Sequence, residues 1–557
     1  MINYGENMKV LLCAFNAKYI HKALSLRWLY VAKDPSIETE IMEFTLKDDL
    51  NQCAFRALEK KPDVIAISTY IWSSEAIKKW IVLLKQIKPE LRIFVGGPEV
   101  SYEFEEWLDL PIEAVLRGEG EKTLWQAIRK EQRIDGYASK EWVSDVPYAK
   151  VELSWLETLE SPYVLDFDLK DSSHRYFYFE TSRGCPYRCS YCLSSLDDEV
   201  RFFSKEYIEA QLTRLKEVPV KQVKFLDRTF NANPSFSLWI ARLIESLNLK
   251  TSFQFEIVAD RLNQEMLDFL VHEADRSHYR FEAGVQSFNN KTLKAVGRIQ
   301  NNEKLKEILS FLSKEGYIIH ADLIAGLPFE NYTSFRSSYD QLFLTGVDEI
   351  QVGILKLLKG TSIRTDSKQL GLVSEKKPPY DVLSTPWISI DEMKRIHDAY
   401  HATEKFYNSA RFRHSLGAFL SLGWIDSPFE FMVECGKRLN ELKAPYQLSD
   451  LYLLVKDVMK NHDEELVESI LLTDYMMQFK QRPPKIFTLQ NLKERKEWIH
   501  WLSETKGFDE DWLSHYTSCC AGYYKQKRAV QMVIYNAEHQ HPKRIWITSD
   551  KEVIEEE

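Results

Sequence analysis

Short apolar runs alternate with helix-like segments through the first 130 residues of the chain. The runs lie at 9–15, 64–68 and 92–97, and the segment SEAIKKWIVLLKQI between two of them has apolar residues at helical spacing. A further run begins at Val115 and leads through RGEGEKTL into another helix-like segment. This alternation predicts an α/β domain over residues 1–135, with a doubly wound, Rossmann-like sheet and helices on both faces. Such sheets bind ligands at the carboxyl ends of their strands.

A second alternating series begins after a stretch without periodicity. Residues 136–172 lack a regular pattern and contain two prolines, so we predict a linker there. The series after it predicts a partial (β/α)6 barrel over residues 173–385, and the pattern beyond it predicts a mainly helical C-terminal domain over 386–557. The six apolar runs of the barrel lie at 175–182, 222–227, 252–258, 279–285, 317–326 and 348–355.

Composition and charge exclude several classes of protein. The 557 residues include 73 Lys and Arg against 83 Asp and Glu, a net charge of -10, which disfavours a nucleic acid as the partner of the whole chain. Eight cysteines are too few for a secreted disulfide framework of this length. Neither a secretory signal nor an apolar stretch of roughly 20 residues is present, so we expect a cytoplasmic protein with no membrane partner.

Three of the cysteines form a compact motif at the end of the first predicted barrel strand. Cys185, Cys189 and Cys192 have the spacing Cys-x3-Cys-x2-Cys. Thiolates are the ligands that select iron–sulfur clusters and zinc. A zinc ion would need a fourth ligand, but the nearest histidines are His174 and His272. Three thiolates on a [4Fe–4S] cluster would leave one iron open to another ligand. A three-cysteine zinc site stays open as the alternative.

With Tyr191 in its aromatic position, this motif resembles the signature of the radical SAM superfamily, and FEAGVQSFNNKTLKAVGR (281–298) and HADLIAGLPFE (320–330) resemble later strands of its barrel. The resemblance implies that the open iron binds S-adenosyl-L-methionine, which an electron from the cluster cleaves to methionine and a 5′-deoxyadenosyl radical. It also implies a reducing electron donor such as flavodoxin or ferredoxin. The residues that it assigns to S-adenosylmethionine are Tyr191, Asp227, Glu282 and Gln286. As an alternative, Asp227 caps the following helix.

The N-terminal segments ISTYIWSSEAI (67–77), VGGPEVS (95–101) and VLRGEGEKTL (115–124) resemble the cobalamin-binding domain of one radical SAM subclass. Cobalamin domains of mutases carry an Asp-x-His-x-x-Gly loop, but His21 lacks the aspartate and the glycine, so we expect it at a surface or interface and not on cobalt. A domain that has kept this fold without cobalamin is the alternative. The residues assigned to cobalamin are Ser68, Thr69, Tyr70, Gly96, Gly97, Glu99, Gly118 and Glu119.

The C-terminal region adds no recognisable chemistry. The segments 354–363 and 378–389 resemble a little-characterised family attached to cobalamin-type radical SAM proteins. Cys519 and Cys520 are adjacent and cannot easily share the tetrahedral shell of one ion, so we give them no metal. The basic run KQKR (525–528) is typical of a solvated face.

The predicted function is a radical SAM enzyme that uses cobalamin to methylate an unactivated carbon of an unknown substrate. One alternative is a radical rearrangement, cyclisation or redox reaction without methylation, with cobalamin absent or acting as an electron carrier. Another is an RNA-modification or RNA-binding factor with a structural cluster. The motifs assign no catalytic side chain beyond the cofactor ligands.

Overall fold

The fold is taken from a computed structural model, which divides into two compact units. The first comprises Met1–Asn331 and Gly353–Ile388, and the second comprises Tyr332–Val352 and Ser389–Glu557. None of the described helices has the length and hydropathy needed to cross a bilayer. The structure describes residues 8–163, 165–197, 199–443, 445–479, 484–489, 495–506, 509–510, 517–524, 527–535, 543–548 and 553–556.

The first unit opens with the predicted doubly wound sheet. Its strands have the order β2-β1-β3-β4-β5-β6, and all are parallel except β6, which is antiparallel to β5. The strands are β1 (Lys9–Asn16), β2 (Glu38–Thr45), β3 (Val64–Ser68), β4 (Arg92–Gly96), β5 (Ala114–Leu116) and β6 (Tyr137–Ala138). The helices are Leu24–Val31, Leu50–Glu59, Ser74–Ile87, Pro98–Ser101, Glu105–Leu108 and Gly120–Ile128.

Alternate residues of the buried strands feed two cores, one on each face of this sheet. Leu11 and Phe15 of β1 pack with Trp80 on one face, and Leu12 of the same strand packs with Trp125 on the other. Burial on both faces is why these strands are continuous apolar runs. Strand β2 was not predicted, because only two of its eight residues are fully buried and its sequence contains no such run.

The predicted linker at 136–172 is packed structure in part. It contains β6 and two short helices, Leu153–Leu156 and Asp166–Lys170. Asp168 is fully buried and accepts from Arg27 Nε at 3.0 Å and Nη2 at 2.7 Å, while Lys22 Nζ lies 3.1 Å from it. This segment therefore fastens itself to the first helix of the chain.

The barrel strands follow at the predicted places. The parallel strands β7, β10, β11, β12 and β13 are adjacent in this order, and the end of Glu349–Ile354 continues the sheet beside β13. The barrel strands are β7 (Tyr176–Phe179), β10 (Gln222–Phe225), β11 (Ser252–Ile257), β12 (Tyr279–Gln286) and β13 (Ile318–Ala325). Between β7 and β10, β8 (Ser182–Arg183) and β9 (Arg201–Phe202) form a separate antiparallel pair. The other elements are the helices Lys205–Arg214, Pro234–Leu247, Gln264–His272, Asn290–Ala295, Asn302–Lys314 and Ser362–Thr365 and the strands Val373–Ser374 and Val382–Ser384.

The second unit is largely helical, as predicted, and it also contains a four-stranded antiparallel sheet that was not predicted. This sheet buries Met532 and Ile545 against Trp498 and Leu502. The side chains of Cys519 and Cys520 and most of KQKR lie outside the described residues. The helices are Tyr332–Phe343, Ile390–Ala402, Arg413–Ser421, Pro428–Glu441, Leu448–Val458, Glu464–Gln478 and Arg495–Lys506, and the strands of the sheet are Thr517–Tyr524, Lys527–Ile534, Lys543–Thr548 and Val553–Glu556.

We expect Asp168→Ala to destabilise the first unit strongly. The change leaves the buried charges of Arg27 and Lys22 without this carboxylate, which costs about 3–5 kcal/mol when one partner of a buried pair is removed. Urea denaturation followed by tryptophan fluorescence measures the loss. Glu273→Ala, which removes an exposed pair with Arg242, is the control and should leave the midpoint unchanged. Equal midpoints for the two variants would contradict the prediction.

Candidate functional site

The three motif cysteines lie in a loop whose ends are held together. Strands β8 and β9 flank the loop and pair antiparallel, with Arg183 opposite Arg201. Gly184 follows β8 with φ of 98°, and a Cβ there would overlap the Glu199 carbonyl oxygen. Only glycine fits such a position. The glycine before the first cysteine therefore lets the loop fold back on itself.

The three thiols of this loop differ in how deeply they are buried. Cys185 and Cys189 are buried, Cys192 is half-buried, and burial together with the neighbouring thiols raises the pKa of Cys185. Among the residues that the structure describes, no three His, Cys, Asp or Glu side chains converge as the ligands of one metal ion do. A [4Fe–4S] cluster does not need that convergence, because each thiolate binds a different iron.

Asp227 is buried at the root of this loop. Its carboxylate accepts from the Thr181 N–H at 3.0 Å and from the hydroxyls of Thr181 and Ser182, both at 2.5 Å. Burial raises its pKa to about 6. The alternative helix-capping role is wrong, because Asn233 caps the helix Pro234–Leu247. The contact with S-adenosylmethionine stays a prediction, and the visible role of Asp227 is to hold the chain that enters the loop.

The other residues assigned to S-adenosylmethionine differ in whether their polar atoms already have protein partners. They are Tyr191, Glu282 and Gln286. Burial raises the pKa of Tyr191, which interacts with Arg298 and Cys189. Glu282 on β12 accepts from Gln254 Nε2 at 2.6 Å. Within the described ranges, Gln286 Oε1 is buried without a hydrogen-bond partner. Gln286 therefore retains an acceptor for the N–H or O–H of a ligand.

Two further carboxylates lie on the interior of the barrel sheet and were missed by the sequence analysis. Glu256 lies opposite Glu282 in the register, and His320 Nε2 lies 3.2 Å from Asp322 Oδ1. Burial raises the pKa of Glu256 to about 7, with Glu282 and Asp322 adding repulsion against the opposing effect of Arg228. This concentration of carboxylates suits a positively charged ligand. The signal was the alternation of polar residues in SFQFEIV, which places Gln254 and Glu256 on one face.

A cavity of about 890 Å³ lies at the carboxyl ends of β1, β3, β4 and β5. Gly97 and Gly118 have φ of 105° and 90°, and a Cβ on either would overlap the backbone of Thr69 or Ala149. These glycines leave bare backbone at the cavity wall. Of the eight residues assigned to cobalamin, all but Thr69 line this cavity: Ser68, Tyr70, Gly96, Gly97, Glu99, Gly118 and Glu119.

The two glutamates of that set are already engaged by protein groups. Glu99 Oε1 accepts from the Tyr380 hydroxyl at 2.6 Å and lies 3.4 Å from Lys359 Nζ. Glu119 accepts from the Val151 N–H at 2.6 Å and pairs with Arg201. Both shape the wall through these contacts, and a direct contact with cobalamin stays a prediction.

His21 lines the same cavity. Its Nδ1 lies 2.5 Å from the hydroxyl of Tyr178 on β7, and burial lowers the pKa of the imidazole. The residue is half-buried between the first domain and the barrel, in keeping with the expected interface position. Barrel residues form part of this wall, including Glu180, Ser182, Arg183 and Gly184, so the chain that enters the cysteine loop borders the cavity.

Three family models match successive parts of the chain. The B12 binding domain matches residues 12–128, the Radical SAM superfamily matches 179–342, and a protein of unknown function (DUF4080) matches 368–554. The matched ranges correspond to the sheet at the cavity, the barrel with its cysteine loop, and the C-terminal region.

Several curated methyltransferases and solved structures are similar to parts of this chain. The 2-(S-pantetheinyl)-carbapenam-3-carboxylate methyltransferase of Streptantibioticus cattleyicolor is 26% identical over 60% of this chain and 53% of its own length. The cobalamin-dependent radical SAM methyltransferase TokK of Streptomyces tokunonensis is 25% identical over 64% and 57%. The chain thus spans little more than half the length of these relatives.

Among solved structures, the radical enzyme OxsB has a TM-score of 0.58 at 17% identity and covers 84% of this chain and 79% of its own. The methyltransferase TsrM of Kitasatospora setae has a TM-score of 0.55 at 16% identity, over 67% and 78%. At these identities the likeness shows a shared fold.

We expect Asp227→Ala to lower the amount of iron that the chain retains. The change leaves the Thr181 N–H and two buried hydroxyls without their acceptor, at about 1–3 kcal/mol for each unsatisfied group, directly before the cysteine loop. Iron content after anaerobic reconstitution measures the effect. Asp268→Ala, on an exposed helix face, is the control. Full iron occupancy in the Asp227 variant would show that this carboxylate does not position the loop.

Proposed function

Because this chain belongs to the radical SAM superfamily, with a B12-binding domain before the barrel and a DUF4080 region after it, we propose that it is a cobalamin-dependent methyltransferase. One observation carries the proposal: the cavity at the strand ends of the first domain is also lined by Ser182, Arg183 and Gly184, the residues that enter the cysteine loop. Two cofactors bound at these places would border one shared cavity.

The cysteine loop and the barrel interior fit the cluster and S-adenosylmethionine. Cys185, Cys189 and Cys192 would hold three irons, and the fourth would be open to S-adenosylmethionine, whose reductive cleavage supplies a 5′-deoxyadenosyl radical. The unpaired Gln286 acceptor suits a ribose hydroxyl or an ammonium group. Glu256 and Asp322 provide negative charge for the sulfonium cation.

The wall formed by the first domain fits a flat ligand with a polar edge. The bare backbone at Gly97 and Gly118 admits close approach of a ring, and the hydroxyls of Ser68 and Ser25, 3.0 Å apart, lie beside it. When bound, cobalamin supplies a methyl group for a substrate carbon. Exclusion of bulk water by the bound cofactors and substrate would protect a radical from quenching.

The relatives named as methyltransferases support methyl transfer over the non-methylating and RNA-binding alternatives. The unactivated carbon that accepts the methyl group belongs to a substrate that the cavity does not identify. A cytoplasmic location and a flavodoxin or ferredoxin as electron donor complete the proposal, since the cluster chemistry requires a reductant and a reducing compartment.

We expect Cys189→Ala to abolish cleavage of S-adenosylmethionine. The wild-type chain, reconstituted without oxygen, should bind about four irons and release 5′-deoxyadenosine when dithionite is added. The variant lacks one cluster ligand and should release none, as measured by liquid chromatography. Cys53→Ala, in the core of the first domain, is the matched cysteine control and should behave like the wild type. Release of deoxyadenosine by the Cys189 variant would overturn the cluster assignment.

The methyl transfer itself is tested with labelled S-adenosylmethionine. We expect the reconstituted protein to retain hydroxocobalamin through gel filtration, seen by its visible absorbance. Metabolites and modified nucleosides that differ between a deletion strain and its parent provide the candidate substrates. With methyl-deuterated S-adenosylmethionine, one product should carry a CD₃ group and be about 3 Da heavier than the same product made with the unlabelled compound. A deoxyadenosine-forming protein that retains no corrinoid and transfers no label would overturn the proposal in favour of a reaction without methylation.

A further inference from the structure

One ion pair in the wall of the cavity joins the two cofactor sites. Arg183 Nη2 lies 2.8 Å from Glu121 Oε1 and 3.1 Å from Glu180 Oε2. The side chains of Arg183 and Glu121 are only 11% and 8% exposed, and both residues line the cavity. Arg183 precedes the cysteine loop, and Glu121 belongs to the turn and helix that follow Gly118.

This pairing leaves two buried polar atoms unsatisfied. Within the described part of the chain, Arg183 Nε and Glu121 Oε2 have no hydrogen-bond partner. A buried donor or acceptor without a partner costs about 1–3 kcal/mol, and more when the group is charged. The pair therefore has one N–H donor and one oxygen acceptor that make no hydrogen bond to the described protein groups.

A primary carboxamide is the chemical complement of these two atoms. Its carbonyl oxygen accepts one hydrogen bond, and its NH₂ group donates from the adjacent position. The edge of a corrin ring carries several acetamide and propionamide side chains. Glu121 follows Gly118 by three residues, and the bare backbone at Gly118 is part of the wall proposed for the ring.

We infer that Arg183 and Glu121 bind one peripheral carboxamide of cobalamin. Arg183 Nε–H donates to the amide oxygen, and the amide NH₂ donates to Glu121 Oε2. This inference rests on the proposed function, because it requires cobalamin in the cavity. It extends that function by naming a contact shared between the two cofactor sites, since the same guanidinium stands two residues before Cys185.

The surrounding charges fix the guanidinium in place for this role. Glu180 holds Nη2 together with Glu121, and Glu119 Oε2 lies 3.5 Å from Nη1. Glu119 also pairs with Arg201, which is opposite Arg183 in the β8–β9 ribbon. Both ends of the cysteine loop are thus tied to the turn that would contact the corrin.

The test measures dissociation constants of the cluster-loaded protein for cobalamin and for its monocarboxylic acids, each with one carboxamide replaced by a carboxylate. We expect one isomer to bind roughly tenfold more weakly than cobalamin, because its carboxylate lacks the donor and is repelled by Glu121. The other isomers should bind within about threefold. In Glu121→Gln the penalty for that one isomer should disappear, since the glutamine amide can donate to its carboxylate.

Glu113→Gln is the matched control, because Glu113 makes the same type of pair with Arg92 in the same domain but does not line the cavity. It should retain the discrimination between isomers. Arg183→Lys serves as a second variant in case Glu121→Gln does not fold. It should weaken the binding of cobalamin itself roughly tenfold. Its iron content is measured separately, so that loss of the cluster is not mistaken for loss of the contact.

The outcomes separate the inference from the proposed function. If the wild type binds cobalamin but treats all monocarboxylic acids alike, a water molecule satisfies the two atoms and the inference fails alone. If Glu121→Gln keeps the penalty, another residue makes the contact and the inference also fails. If the wild type binds no corrinoid at all, the proposed function fails with it.

Discussion

The structure of the cavity depends on a buried set of ion pairs between two segments distant in sequence. Arg183 and Arg201, on opposite sides of the cysteine loop, pair with Glu119 and Glu121 at the end of the first sheet. Burying these charges costs desolvation energy that their attraction repays only when the geometry is good. A buried pair is weak evidence for stability, and what the structure shows is that these pairs join the cysteine loop to the strand ends of the first sheet.

Asp227 holds the start of the same loop, although its burial makes ionisation of the carboxyl group less favourable. Its carboxylate accepts three hydrogen bonds from Thr181 and Ser182, yet burial still raises its pKa to about 6. A carboxyl whose pKa in the folded chain exceeds the unfolded value of about 3.9 favours folding most when protonated. Its contribution therefore declines as the pH rises from about 4 to about 6. At neutral pH the folded chain therefore lacks this contribution to its stability. We infer that the role of Asp227 is to fix the geometry of the chain that enters the loop.

The sequence predicted elements whose pattern is local and missed those that depend on distant partners. The runs that became β1, β3 and β4 are apolar because both faces are covered, whereas β11, β12 and β13 alternate buried with partly buried or exposed residues. The cysteine motif is contiguous. The four-stranded sheet of the second unit was missed, although its strands contain short apolar runs such as IWI (545–547). Gly97 and Gly118 could be placed at the cavity from strand ends alone.

The contacts of Glu99 and Glu119 could not be predicted in this way. Their partners Tyr380 and Arg201 lie 281 and 82 residues away, and charge patterns along a chain do not say which charges will meet. The partner of Glu99 lies in a different matched region of the chain. Tyr380 falls within the match to the DUF4080 family, and together with Lys359 it holds a glutamate that lines the cavity of the B12-binding domain. A residue of the DUF4080 match thereby holds a glutamate of the cavity wall in place, through a contact that no pattern along the sequence indicates.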